Sequence, residues 1–175
     1  MIDRFLLRKI ARGVVGGAIA TVAMSGVMAL GAKAHALGEP PPRKLVRKTA
    51  ARVGIRPRRK AIDMATVAAH LAFGMSMGAL YSLLPGRKAA VSGALFGLGV
   101  WTTSYAGWIP ALRLMAPPKR DRPGRPTTML VAHLVYGAIL GAAQSGVRDG
   151  LNRGKSSRSG RRASEMDAIV RAPRG

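Results

Sequence analysis

Residues Ala69–Ser82 read AHLAFGMSMGALYS, and residues Ala132–Ser145 read AHLVYGAILGAAQS, with seven of the fourteen aligned positions identical. Each stretch carries a histidine that is followed by glycines four and eight residues later, and this spacing places the three residues on one helix face. Glycines four residues apart in an apolar segment let two helices approach closely. Both stretches therefore predict helices whose histidines point into a helix–helix seam. The residues concerned are His70, Gly74, Gly78, His133, Gly137 and Gly141.

The apolar runs predict a membrane protein. Residues 13–32, 64–84, 89–112 and 127–147 contain no ionised side chain, and a helix needs about 20 apolar residues to cross a bilayer. A soluble chain of 175 residues has no ordinary use for four such runs. We predict an all-α, four-transmembrane-helix bundle over residues 1–147, with spans at about 13–37, 64–84, 89–112 and 127–147.

The strong positive charge predicts lipid contact. The chain has 29 Lys and Arg against 7 Asp and Glu, a formal net charge of +22. The basic residues flank the spans and few aromatic residues are interleaved with them, which argues against nucleic acid as a partner and favours anionic lipid headgroups. Residues 43–53 have one basic and one apolar helix face, as in a helix that lies in the headgroup plane; an unstructured basic loop is the alternative. The predicted headgroup contacts are Arg43, Lys44, Arg47, Lys48 and Arg52.

The first and third spans also resemble each other. Gly17-Ala18-Ile19 matches Gly93-Ala94-Leu95, and at the same offset of 76 residues Pro41–Lys44 matches Pro117–Arg120. We therefore predict two tandem, parallel two-helix repeats. In the first and third spans, the glycines predicted to pack helices are Gly13, Gly17, Gly93 and Gly97. A competing interpretation makes the amino terminus a secretory signal with a cleavage site near the AHA triplet that ends at Ala36.

Polar residues within the spans allow three interpretations. The candidate polar seam consists of His70, His133, Tyr105, Trp101 and Thr102, and its two histidines and Tyr105 fall in one half of the predicted bilayer. The histidines could hold the helix seams in register through hydrogen bonds, line a path for protons or a small permeant, or ligate a b-type haem from two sides. The absence of acidic residues from the spans argues against a proton relay.

The sequence contains no pattern typical of an enzyme. It has no cysteine, which excludes disulfides and thiol chemistry, and we find no paired carboxylates, Ser-His-Asp spacing, zinc pattern or phosphate loop. We therefore predict no catalytic residues, no metal and no resident cofactor. Residues 148–175, rich in Arg, Ser and Gly, are predicted to be a disordered basic tail. Basic residues are almost evenly divided between the two membrane sides, so orientation stays open, as does self-association into a homo-oligomer.

The stretch Ala36-Leu-Gly-Glu-Pro-Pro-Pro-Arg43, followed by three further apolar spans, resembles the YagU-like bacterial inner-membrane proteins. The resemblance implies a multi-pass protein of the bacterial inner membrane with a role in envelope or acid-stress physiology. It carries over no catalytic residue. Our leading expectation is a non-enzymatic structural or envelope-maintenance protein, and the first alternative is a small channel or transporter with a histidine-lined seam. The second alternative is a haem protein.

Overall fold

A computed structural model describes residues 3–86 and 89–145, and every regular element in them is helical. This result confirms the prediction of an all-α chain. The predicted tail at 148–175 lies outside the described residues, as do Arg87 and Lys88. The elements are α1 (Arg4–Lys33), α2 (Pro41–Arg52), α3 (Arg59–Leu83), α4 (Ala90–Trp101), a π-helix (Thr102–Trp108), α5 (Ile109–Ala111), a 3-10 turn (Pro118–Arg120) and α6 (Arg125–Ser145).

Three of these helices, α1, α3 and α6, are long and apolar enough to cross a membrane. The first predicted span was extended too far, because α1 ends at Lys33 rather than near residue 37. His35 adopts a left-handed backbone with φ of 56°, which an α-helix cannot continue. The backbone N–H of Ala36 then donates to the Gly31 carbonyl, 3.0 Å away, and closes the helix end.

The third predicted span, 89–112, contains a helix type that the sequence analysis did not foresee. Helix α4 passes directly into the π-helix and then into α5. Pro110 has no backbone N–H, so the ordinary helical bond is lost at that point, while the N–H of Ile109 donates to Ser104, five residues back. Neighbouring hydroxyl groups also bond to carbonyls of the preceding turn, a pattern that bends helices. These bonds run from Thr102 to Leu98, Thr103 to Gly99 and Ser104 to Val100.

Glycines bring α1 and α3 into backbone contact. A Cβ atom at Gly17 would overlap the carbonyl of Gly74, and a Cβ atom at Gly13 would overlap the carbonyl of Gly78. Helices approach this closely only where side chains are absent. At Gly74 an added Cβ would also overlap the hydroxyl of Thr21.

A second seam of the same kind joins α4 to α6. A Cβ atom at Gly93 would overlap the carbonyl of Gly137, and one at Gly97 would overlap the carbonyl of His133. Gly141 meets the carbonyl of Ala89. The eight glycines singled out in the sequence thus lie in two helix–helix seams.

Cross-contacts join these two pairs into one bundle. The hydroxyl of Tyr136 on α6 donates to the carbonyl of Gly74 on α3 at 2.7 Å. The rings of Tyr81 on α3 and Phe96 on α4 lie 5.0 Å apart. Leu140 of α6 is fully buried in the core that the four segments share.

We predict that Gly137→Ala destabilises the protein and that Gly99→Ala does not. The methyl group at position 137 would collide with the Gly93 backbone, and overpacking of this kind costs about 1–3 kcal/mol. Gly99 has open space around its Cβ position, and alanine there gains up to about 1 kcal/mol of helix propensity. Thermal unfolding in detergent measures both variants.

Equal melting temperatures for the two variants would contradict close packing at the α4–α6 seam.

Candidate functional site

The bundle encloses a cavity of about 260 Å³ with a mostly apolar lining. On α1 the cavity residues Thr21 and Met24 follow the glycine seam, and on α3 the cavity residue His70 precedes it. Because neighbouring helices run in opposite directions, these positions lie at the same end of the bundle. We call this the connector end, since residues 34–58 and 112–124 lie there.

Helix α2 covers the cavity. Its side chains Leu45 and Val46 line the cavity together with Pro41 and Pro42. At the other end of the helix, Arg52 donates to the carbonyl of Leu112 at 2.7 Å. The apolar face of α2, which the sequence analysis assigned to the lipid headgroup plane, therefore packs over the bundle interior.

Salt bridges hold α2 in this position. Arg43 pairs with Asp63 at the start of α3 at 2.8 Å and with Glu39 at 3.5 Å. Arg47 binds both oxygens of Glu39, and its hydrogen bond keeps the pKa of that carboxyl below the ordinary value. The pairs are partly exposed, so each contributes modestly, about 0–1 kcal/mol. The Arg43–Asp63 pair ties α2 to α3, while Glu39 binds α2 from the segment just before it.

Both predicted seam histidines line the cavity. His133 is 6% exposed, and its Nδ1 lies 2.7 Å from the carbonyl of Met129. His70 is less buried, and its Nδ1 lies 3.4 Å from the hydroxyl of Ser25 on α1. The two rings come from different helices but face one space.

The other three residues of the predicted polar seam do not all lie at the cavity. Tyr105 is fully buried and lines the cavity, whereas Thr102 and Trp101 do not. Thr102 is exposed and bonds within its own helix. Trp101 packs on the Tyr105 ring at 5.9 Å, and its buried indole N–H has no partner in the described part of the chain. The π-helix aims Ser104 and Tyr105 inward, and π-bulges are frequent at functional sites.

Sequence reasoning missed a buried ion pair at the connector end. Arg125 and Asp121 lie 2.6 Å apart, with side chains 7% and 5% exposed. Arg125 also donates to the carbonyl of Leu37 at 2.8 Å, and Tyr105 donates to the other oxygen of Asp121. The carboxylate of Asp121 thus connects the π-helix to α6. Through Arg125 it is also connected to the chain that follows α1. Asp121 is the single acidic residue in the basic stretch Lys119–Arg125, and its i,i+4 spacing to Arg125 was the available signal.

The five predicted headgroup contacts divide by their partners. Arg43, Arg47 and Arg52 are engaged within the protein, as described above. Lys44 and Lys48 make no ion pair among the residues the structure describes. They are the α2 cations that remain available to an outside anion.

The cavity is small and its lining is mostly apolar. Residues 3–86 and 89–145 contain no group of three or more His, Asp or Glu side chains placed to hold a metal ion. The volume of about 260 Å³ is below the roughly 300–1,000 Å³ of typical pockets for drug-sized ligands, which leaves little room for a porphyrin. Thr21, Ser104 and Tyr136, which the sequence did not connect with the histidines, also line the cavity.

Comparison with family models matches residues 7–149 to DUF6789, described as a family of unknown function, and the chain belongs to this family. Searches of curated proteins and of solved structures gave no match.

We predict that Asp121→Ala destabilises the protein far more than Asp63→Ala. Removing one partner of a buried pair leaves an uncompensated charge and costs about 3–5 kcal/mol, whereas Asp63 belongs to a partly exposed pair worth about 1 kcal/mol at most. Thermal unfolding of both variants in the same detergent measures the difference. Similar shifts for the two would show that the Asp121 network carries no special weight.

Proposed function

We propose that this member of the DUF6789 family is a four-span protein of the bacterial inner membrane with a non-enzymatic, structural role in the cell envelope. In this proposal the bundle is built from two tandem helix pairs, and α2 with the neighbouring connectors binds anionic lipid. The inner-membrane location rests on the resemblance of residues 36–43 to the YagU-like proteins.

The observation that carries the proposal is the apolar exterior of the bundle. Large apolar side chains are exposed along all four helical segments, which is costly in water and expected in lipid. They include Val15, Ile19 and Val22 on α1, Val67 and Leu80 on α3, Val91 and Leu95 on α4, and Val131 on α6.

The end contacts support a fourth crossing by α4, the π-helix and α5. These three segments run without interruption from Ala90 to Ala111, about 33 Å at ~1.5 Å per residue, against a hydrocarbon core of about 30 Å. Arg52 reaches Leu112 and Arg125 reaches Leu37. Both connectors therefore meet at one end of the bundle, as four crossings require.

The register of the glycine seams supports the tandem repeat. Gly17 opposes the carbonyl of Gly74, and its sequence counterpart Gly93 opposes the carbonyl of Gly137. The matched glycines thus occupy equivalent places in the two helix pairs.

We predict that a cysteine replacing Lys119 is labelled from the same membrane side as one replacing Arg56. Four crossings put both connectors on one side and put Asp3 and Pro85 on the other, whereas three crossings by α1, α3 and α6 alone would move Lys119 to the side of Asp3. The chain has no native cysteine, so single-cysteine variants need no background removal. Labelling with a membrane-impermeant maleimide on intact and on permeabilised cells reads the side.

We predict that anionic lipid stabilises the purified protein through Lys44 and Lys48. Added phosphatidylglycerol should raise the melting temperature more than phosphatidylcholine does, and added salt should weaken the effect because the contact is electrostatic. The double variant Lys44→Gln/Lys48→Gln should lose part of the gain. Arg8→Gln serves as the control, because it removes a cation near the amino-terminal end of α1, on the opposite membrane side from α2 in this proposal. Equal gains in all proteins would overturn lipid binding by α2.

The geometry gives weaker support to the two alternative functions. A path for protons or ions needs a continuous polar lining, and this cavity is mostly apolar and is bounded by the glycine seams. A haem between the histidines needs more room than the cavity offers.

A further inference from the structure

The hydroxyl groups that line the cavity share one property: their hydrogens are already donated in hydrogen bonds within the protein. Each hydroxyl group that lines the cavity donates its one hydrogen to an acceptor of the protein, and so presents only lone pairs to an occupant. The pairs are Thr21 to the carbonyl of Gly17 (2.7 Å), Ser104 to the carbonyl of Val100, Tyr105 to the carboxylate of Asp121, and Tyr136 to the carbonyl of Gly74 (2.7 Å).

His133 follows the same rule. A carbonyl oxygen only accepts hydrogen bonds, so the Nδ1 that lies 2.7 Å from the Met129 carbonyl must carry the hydrogen. No carboxylate lines the cavity, and an unpaired charge in an apolar space is costly, so the ring is neutral. Its Nε2 is then an unprotonated acceptor.

His70 is held in the same tautomer by a different partner. The hydroxyl of Ser25 donates to the carbonyl of Thr21 at 2.9 Å, so it can only accept from the Nδ1 of His70 at 3.4 Å. The Nε2 of His70 is therefore an acceptor as well. Two imidazoles with an unprotonated Nε2 and four residues whose hydroxyl hydrogens are already bonded line one small apolar space, and none of these six groups has a hydrogen to offer.

Trp108 is the lining residue that keeps a free hydrogen, and it lies at the opening of the cavity. Its indole N–H has no hydrogen bond within residues 3–86 and 89–145, and the side chain is 42% exposed. On the opposite side of the opening, Phe73 of α3 is 40% exposed and Ala69 is also exposed. The cavity thus opens sideways between α3 and the π-helix, beneath α2, through side chains that face the proposed lipid.

We propose that the cavity binds a lipophilic alcohol, a membrane-soluble molecule with an apolar body and a hydroxyl group that donates to Nε2 of His133 or His70. The apolar wall accommodates the body, and the acceptor-only polar atoms select a donor. An ionised carboxylate or a phosphate would place its lone pairs against those of the protein, so these anionic groups are excluded from the interior. The inference rests on the proposed membrane location, because the ligand enters from the bilayer.

The test uses the full chain in phosphatidylcholine nanodiscs, since this lipid has no hydroxyl group. A photoreactive long-chain alcohol carrying a diazirine is crosslinked to the protein, and unlabelled decanol, its methyl ether and decanoate compete for the site. The alcohol should displace the probe at roughly threefold to tenfold lower membrane concentration than the ether, as expected for one net hydrogen bond. Decanoate, assayed at a pH high enough to keep its carboxylate ionised, should compete least well.

Two sets of variants separate recognition from folding. His133→Phe should keep ether binding and lose the preference for the alcohol, and His70→Phe reports the same for the second ring. Ala69→Trp narrows the mouth and should reduce crosslinking several-fold, whereas Ala68→Trp, its exposed neighbour outside the lining, should not. Melting temperatures of the variants show that each is folded.

Equal competition by alcohol and ether, strongest competition by decanoate, or equal crosslinking of the Ala69→Trp and Ala68→Trp proteins would overturn the inference. These outcomes are independent of the topology result. Labelling of position 119 from the side of Asp3 would reject four crossings and leave ligand selectivity to be decided by the competition.

Discussion

The structure depends on backbone-to-backbone contact between helices at glycine. Gly17 against Gly74 and Gly93 against Gly137 bring two helix pairs together where no Cβ atom fits. In lipid, apolar side chains gain nothing by leaving the solvent, so close packing of small residues is what drives helices together. Both seams lie toward the same end of the bundle, away from the connectors. The helices are drawn tight at that end and leave space at the other.

The connector end is held by charge and hydrogen bonds. Arg125 and Asp121 form a buried pair that also binds Tyr105 and the carbonyl of Leu37. This network fixes the π-helix, whose irregular register turns Ser104 and Tyr105 inward. Helix α2 then covers the space with its apolar face. The cavity lies between this network and the glycine seams.

The hydroxyl groups that line the cavity are bonded within the protein, and this decides the character of the cavity. Hydroxyl groups on the helices donate back to carbonyls or across to a neighbouring helix, as buried polar groups in an apolar environment must. The same bonding fixes the tautomers of His70 and His133 and leaves their Nε2 atoms as acceptors. This arrangement fits a ligand that donates a hydrogen bond better than it fits a path for ions, because the wall between these few acceptors is apolar.

By itself the sequence determined the all-helical class and the apolar helices, because length without charge and a 3.6-residue period are local properties. It also singled out the glycines and both histidines, whose spacing marks one helix face. Other features depended on the tertiary structure. The Asp121–Arg125 pair is buried only because the chain after α1 folds over it. Helix α2 covers the cavity because its apolar face packs against the bundle interior. Hydrogen-bond partners decide which polar groups still have a free hydrogen, and some of these partners are distant in sequence. Ser25 is such a partner for His70, and Gly74 is one for Tyr136. No pattern along the chain identifies these distant partners.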